Sequence, residues 1–153
     1  MMQKPKVMQF EDGLGTPVQR SFEPSEIADI LKHISGRTEV IPGSAFAYVH
    51  GSFITEGPSK DVDVAIYFTG TSQDIATDHC LAASAILSHE LGVPVDVHPI
   101  DAESLGFAFG VASGTLLFTK DAQLSDIVEE RAVLRYMDFQ PILRSVLEDL
   151  TAR

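Results

Sequence analysis

Cysteine is nearly absent from this 153-residue chain, in which Cys80 is the only one. A lone cysteine excludes an intramolecular disulfide and is typical of proteins from a reducing cytoplasm. Cys80 lies in a helical pattern, so we expect a small core residue and not a nucleophile. The sequence also has no apolar run long enough to span a bilayer, and residues 1–10 are too polar for a secretory signal. These absences predict a cytoplasmic protein that does not bind a membrane.

Basic residues are scarce as well. The chain has 11 Lys and Arg against 22 Asp and Glu, which gives a formal net charge of −11. No run of Lys or Arg forms a basic patch, and an acidic surface repels the phosphates of nucleic acids. The composition therefore argues against stable nucleic-acid binding and favours proteins as macromolecular partners, with a homo-oligomer left open.

Apolar residues make up 44% of the sequence, enough for one globular domain, which we expect to cover residues 1–153 with an irregular segment at 1–23. Their spacing, together with Gly and Pro, predicts alternating helices and strands. The predicted strands cover 45–50, 61–68, 95–98 and 115–118. The predicted helices run from near Pro24 to Gly36, from a cap at Thr71 or Ser72 to Leu91, from a cap at Asp101 to Gly114, and from Ala122 onward, with a kink or restart at Pro141. The apolar residues that mark the second helix are Ile75, Ala82, Ala83, Ile86 and Leu87. This order predicts an α+β fold with a small sheet.

The stretch AYVHGSFITEGPSKDVDVAIYF, residues 47–68, places acids at the start of a hydrophobic strand. Because side chains alternate in a strand, Asp61 and Asp63 share one face while the apolar residues between them enter the core. Two carboxylates this close repel each other unless a cation lies between them, and Mg²⁺ or Mn²⁺ prefers such oxygen ligands. Asp96 lies between two valines on a later strand and is the candidate third ligand. A single D-x-D pattern is also common at solvated strand edges.

Gly51 and Ser52 interrupt the preceding strand and strengthen the interpretation as a site. A glycine at a strand end lets backbone N–H groups approach a ligand closely, and the serine adds a hydroxyl donor. Such a turn is suited to phosphate binding. Paired acids about ten residues later then predict a site for a metal-bound triphosphate.

With Gly51-Ser52, the paired acids and Asp96, the sequence resembles the DNA polymerase β nucleotidyltransferase superfamily. GTLLFTKD at 114–121 and RYMDFQP at 135–141 are similar to segments of minimal nucleotidyltransferases, stand-alone proteins often paired with HEPN-domain partners. The resemblance covers roughly residues 25–150. It implies the polymerase β-like nucleotidyltransferase fold, with a small mixed sheet, packed helices and a C-terminal helical tail.

The resemblance also implies a function. Asp61, Asp63 and Asp96 would bind Mg²⁺ or Mn²⁺ and catalyse transfer, and Gly51 and Ser52 would hold the terminal phosphates. The reaction would move AMP, or another nucleoside monophosphate, from a triphosphate such as ATP to a hydroxyl. In antitoxin members the acceptor is a tyrosine of a HEPN-type toxin, so this chain would silence a toxin by adenylylation.

This sequence departs from minimal members in the segment that follows Ser52. The spacer to Asp61 is about two residues shorter, and Thr55 and Glu56 occupy the region of a usual arginine. Lys60 replaces a usual serine and is a candidate phosphate contact, or else an ordinary ion-pair partner of Asp61.

Three hypotheses for the function therefore remain open. They are a protein adenylyltransferase, a non-catalytic antitoxin on the same fold, and a small-molecule transferase of the aminoglycoside type. His50 and His98 flank the site, and each is either a proton carrier or a partly exposed imidazole with a local hydrogen bond.

Overall fold

The structure is a computed structural model that describes residues 22–50 and 61–152. In this part of the chain the fold is α+β, with four helices and four strands. The elements are α1 (Pro24–Glu39), β1 (Ser44–His50), β2 (Val62–Phe68), α2 (Gln73–Leu91), β3 (Val95–Pro99), α3 (Leu105–Ser113), β4 (Thr115–Thr119) and α4 (Ala122–Thr151). The strands form one mixed sheet in the order β3-β2-β1-β4, in which β2 and β3 are parallel and β1 is antiparallel to both β2 and β4.

Helices α1 and α2 cover one face of the sheet. Alternate residues of the strands point to this side, as the hydrophobic pattern of β2 predicts. The apolar side chains that form this core include Ile30, Ile34, Val49, Val62, Val64, Ile66, Leu87, Val95 and Val97. Cys80 is buried in the same core, as expected for a small apolar residue.

Helices α3 and α4 cover part of the other face. The phenol of Tyr48 on β1 donates a hydrogen bond of 3.0 Å to the Glu129 carboxylate on α4 and fixes that helix to the sheet. The apolar residues of this second core are Ala45, Phe46, Tyr48, Phe107, Ala108, Val111, Val128 and Ala132. This apolar core does not include the residues at the end of β1 near His50 or at the start of β2, where polar side chains lie on the same face of the sheet.

Several helix boundaries agree with the sequence prediction. Helix α1 begins at Pro24, where the missing N–H of proline costs nothing. The Ser72 hydroxyl caps α2 by accepting the Ile75 N–H. Gly92 ends α2 with a left-handed φ of 67°, a conformation that glycine adopts without steric cost.

Other local predictions were wrong. Helix α1 continues through Gly36 to Glu39, because Thr38 beyond the glycine is buried like Ile34 before it. The cap of α3 is Ser104, whose hydroxyl accepts the Phe107 N–H, and Asp101 instead accepts the Glu103 N–H in the preceding turn.

The apolar residues that mark α2 in the sequence are only partly buried in the structure. Ile75 and Ile86 are each 52% exposed, and α2 buries the smaller Ala76 and Cys80 beside Leu87. Small side chains let this helix lie close to the sheet, so the larger isoleucines stay outside.

Helix α4 runs without restart from Ala122 to Thr151 and contains Pro141 in its interior. Proline removes one backbone hydrogen bond there, yet helical conformation continues on both sides. From Leu134 onward this helix exposes the apolar side chains of Leu134, Met137, Ile142, Val146, Leu147 and Leu150. Within residues 22–50 and 61–152, no helix combines the length and apolar character needed to cross a membrane.

Candidate active site

Strand pairing places the predicted acids side by side. Asp63 on β2 is the register partner of Asp96 on β3, and on its other side it pairs with His50 on β1. Directly paired residues share a face of a sheet, so these three side chains form a row across three strands. Asp61 directly precedes β2 and continues the same face by alternation. We call Asp61, Asp63 and Asp96 the acid face.

The electrostatics of Asp63 show how closely these groups lie. Burial raises the pKa of the Asp63 carboxyl, and the charges of Asp61 and Asp96 raise it further, while His98 opposes them. The charge effects of Asp61, Asp96 and His98 require these groups to lie near Asp63. Asp61 and Asp96 themselves are exposed, whereas Asp63 is half-buried between them. The acid face is thus a concentration of negative charge that a cation or a proton would relieve.

Two imidazoles adjoin the acid face. The His50 and His98 rings meet edge to face, with centroids 5.5 Å apart. Burial lowers the pKa of His50, and the nearby His98 lowers it further, whereas Asp96 acts in the opposite direction. Gly110 on α3 faces the His50 ring so closely that an added Cβ would lie 3.4 Å from its Cγ. His50 is therefore held between the sheet and α3.

The donor set fits a hard divalent cation, since three carboxylates share one face and two of them destabilise the charge of the third. In the part of the chain that the structure describes, however, no three His, Cys, Asp or Glu side chains already stand in an arrangement that would hold a metal. Gly51, Ser52 and Lys60, the predicted nucleotide contacts, lie outside the described residues. Their assigned roles, like those of the acids, remain predictions.

Two serines of α2 position the strand that carries Asp96, and the sequence analysis missed them. The Ser84 hydroxyl accepts the Val97 N–H at 2.8 Å, and the Ser88 hydroxyl accepts the Val95 N–H at 2.8 Å. Both hydroxyls also approach the carbonyls of the same two residues. The outer edge of β3 is thereby hydrogen-bonded on each side of Asp96. A signal did exist, since serines four residues apart share a helix face.

Comparison with known proteins identifies the family of this fold and site. The family described as "Polymerase beta, Nucleotidyltransferase" matches residues 29–123, which include the whole sheet and the acid face. The chain therefore belongs to the polymerase β nucleotidyltransferase family. The resemblance stated from the sequence is confirmed at this level. No curated protein sequence gave a significant match.

Solved structures with the same fold include toxin–antitoxin complexes. One is a tri-AMPylated HEPN toxin of Shewanella oneidensis with an MNT antitoxin, at 19% identity and a TM-score of 0.54, covering 83% of this chain and 94% of the other. A second is a toxin–antitoxin with AMP-PNP, at 20% identity and a TM-score of 0.56, covering 85% and 99%. A third is the MntA–HepT toxin–antitoxin, at 19% identity and a TM-score of 0.55, covering 84% and 99%.

Proposed function

We propose that this chain is a metal-dependent nucleotidyltransferase that acts as an antitoxin. It transfers AMP, or another nucleoside monophosphate, from a nucleoside triphosphate to a hydroxyl of a HEPN-type toxin, with tyrosine as the acceptor residue. The observation that carries the proposal is the register of Asp63 with Asp96, which sets three carboxylates on one face. Two structures of this fold support the choice of AMP and of the partner. One contains a tri-AMPylated HEPN toxin and the other contains AMP-PNP.

Asp61, Asp63 and Asp96 would hold Mg²⁺ or Mn²⁺, which supplies positive charge for the triphosphate and the leaving pyrophosphate. The rigid sheet orients these carboxylates so that donor and acceptor meet in line. The acceptor oxygen forms a bond to the α-phosphorus, and the bond from that phosphorus to the bridging oxygen of pyrophosphate breaks. Asp96 lies at the exposed edge strand, where it can accept the proton of the hydroxyl.

The second candidate is a non-catalytic antitoxin on the same fold. The observation that favours it is the altered segment before the acid face, with Thr55 and Glu56 where an arginine is usual and Lys60 before Asp61. Loss of a bidentate phosphate contact weakens triphosphate binding, and a lysine replaces only its charge.

Transfer of label from ATP tests the proposal. The wild-type protein, its co-encoded or co-purified partner and ATP labelled at the α-phosphate are mixed with Mg²⁺. The test variant carries Asp61→Asn and Asp63→Asn, and a control carries Asp29→Asn and Asp78→Asn, which remove the same charge from exposed helix positions. We expect a labelled partner tyrosine with wild type and control, and none with the test variant.

Absence of transfer from all four nucleotides, with toxin inhibition intact in all three proteins, would establish the non-catalytic candidate instead. Label on an aminoglycoside but not on the partner would identify a small-molecule transferase.

A further inference from the structure

A cavity of about 310 Å³ lies beside the acid face, between the sheet and α3. The residues that line it include His50, Ala65, His98, Pro99, Gly106 and Phe107. Ala65 follows Asp63 by two positions on β2, and His98 follows Asp96 by two positions on β3. Ala65 and His98 are themselves register partners, so the cavity floor continues the acid face along the same side of the sheet.

The walls of this cavity suit an uncharged, planar group. Ala65, Pro99 and Phe107 supply apolar surface, and the His50 and His98 rings, whose planes differ by 73°, add polar nitrogen atoms to the lining. Among the described residues that line it there is no Lys or Arg, so the walls offer no cation for a phosphate.

The other polar lining residues are already engaged with the backbone. The Asp101 carboxylate accepts the Glu103 N–H, and the Ser104 hydroxyl accepts the Phe107 N–H. The imidazoles therefore remain as the groups suited to orient a ligand, and an aromatic ring with a polar edge fits them best.

We propose that this cavity binds an aromatic ring of one of the two reactants, either the nucleobase of the donor or the phenol of the acceptor. The proposal rests on the proposed function, because both rings belong to that reaction. Seating a ring next to the acid face would fix the reacting oxygen or the α-phosphate above the carboxylates.

Gly106 offers a substitution that blocks the cavity without disturbing the fold. It is an exposed lining residue near the start of α3, and an added Cβ would meet nothing within 4 Å. Gly106→Leu therefore narrows the mouth of the cavity while improving helix propensity. Gly36→Leu is the matched control, since Gly36 is also an exposed helical glycine with open space around its Cβ, on α1. His98→Ala is the second test variant and removes one ring from the wall.

The experiment measures KM for ATP, KM for the partner protein, and binding of adenosine and of N-acetyltyrosinamide by NMR. Both test variants should raise one of the two KM values about tenfold, as expected for loss of a ring contact, and Gly36→Leu should raise neither. A higher KM for ATP with weaker adenosine binding identifies the nucleobase. A higher KM for the partner with weaker N-acetyltyrosinamide binding identifies the phenol. Unchanged KM values in both test variants would overturn the cavity assignment while leaving the transferase function standing.

The NMR binding measurement separates the proposal of ring binding in the cavity from the proposal of transferase function. If wild type transfers no label, the transferase proposal fails. The NMR signals of the two imidazoles still show whether the cavity binds an aromatic ring. Shifts of the His50 and His98 signals with adenosine or N-acetyltyrosinamide, lost in Gly106→Leu, support ring binding. No shift with either compound overturns it.

Discussion

At the scale of single residues, Asp63 carries the strongest electrostatic conflict in the proposed site. It is half-buried, and both of its acidic neighbours disfavour its charged form. A residue selected only for stability would not keep a carboxylate there, because an amide of the same shape avoids the repulsion. Asp63 is therefore the position at which stability and activity should respond in opposite directions.

We expect Asp63→Asn to reduce AMP transfer at least a hundredfold and, without metal, to raise the free energy of unfolding by up to about 1 kcal/mol. The reason is that one substitution removes both a proposed metal ligand and the repulsion between partly buried carboxylates. Urea titration and the labelled-ATP assay measure the two effects. Asp78→Asn, at an exposed position of α2, should change neither transfer nor stability. Transfer at the wild-type rate by Asp63→Asn would contradict the assigned role.

Cys80 gives a second prediction at this scale. Burial raises the pKa of its thiol to about 11, and the charge of Asp96 contributes. Because the thiolate is the reactive form, Cys80 should resist iodoacetamide at pH 8 in the native protein and react readily in urea. Mass spectrometry over time distinguishes the two states. Rapid labelling of the folded chain would show that α2 opens far more often than its buried position implies.

At the scale of elements, β3 is an edge strand held from two sides. Asp96 and its alternate neighbours bond to β2, while Ser84 and Ser88 satisfy the outward groups of Val95 and Val97. An edge strand fixed in this way keeps a proposed ligand rigid, and it also protects the edge from pairing with other chains.

Ser84→Ala and Ser88→Ala should each lower the free energy of unfolding by about 1 kcal/mol, since each leaves a partly buried backbone N–H without its partner. We also expect lower kcat with nearly unchanged KM for ATP, because Asp96 loses its fixed position. Ser145→Ala, at an exposed site on α4, is the control. Equal stability of all three variants would mean that water replaces the serine hydroxyls.

Helices α1 and α2 are joined at their C-terminal halves by an ion pair in which Arg37 donates to Glu90 at 2.7 Å. This hydrogen bond and the charge of Arg37 lower the pKa of Glu90 below its ordinary value of 4.5. The stabilisation is therefore present above pH 4.5 and is lost as pH falls through the lowered pKa.

Accordingly, Arg37→Ala should cost no more than about 0.5 kcal/mol at pH 7, because the guanidinium is largely exposed to solvent. The difference from wild type should shrink steadily in acid below pH 4.5 and also in high salt. Thermal melts across a pH series measure this. A difference that persists at pH 2 would locate the effect in the packing of the arginine stem and not in its charge.

At the scale of the whole molecule, the sequence predicted the strand positions of the three acids better than the helix boundaries. Alternation along strands is a strict geometric rule, so Asp61 and Asp63 had to share a face, and Asp96 joined them once its strand lay beside β2. Helix boundaries were harder to predict where two neighbouring residues could each cap the same helix. Asp101 and Ser104 are both residue types that cap helices, and in the structure Ser104 caps α3 while Asp101 bonds within the preceding turn. The spacing of Ser84 and Ser88 indicates a shared helix face, but it does not reveal their partners, which belong to β3.

The net charge of −11 makes the whole chain respond to cations, so a metal test needs an ionic-strength control. We expect Mg²⁺ at 10 times its Kd to raise unfolding free energy by roughly 1.4 kcal/mol beyond KCl of equal ionic strength. The gain should disappear with EDTA and in the Asp61→Asn/Asp63→Asn variant. Calorimetric melts measure this difference. An equal increase in unfolding free energy with Mg²⁺ and with KCl would exclude a specific metal site.

The parallel pairing of β2 with β3 also determines when the site can exist during synthesis. Asp61 and Asp63 leave the ribosome first, and Asp96 follows only after the whole of α2 has been made. Until then β2 has no partner on that side, and the serines of α2 have no strand to hold. A nascent or truncated chain that ends before β3 therefore carries two acids without the third. Competence for transfer should arise only with the completed sheet, so incomplete chains would neither consume nucleotide nor modify a partner.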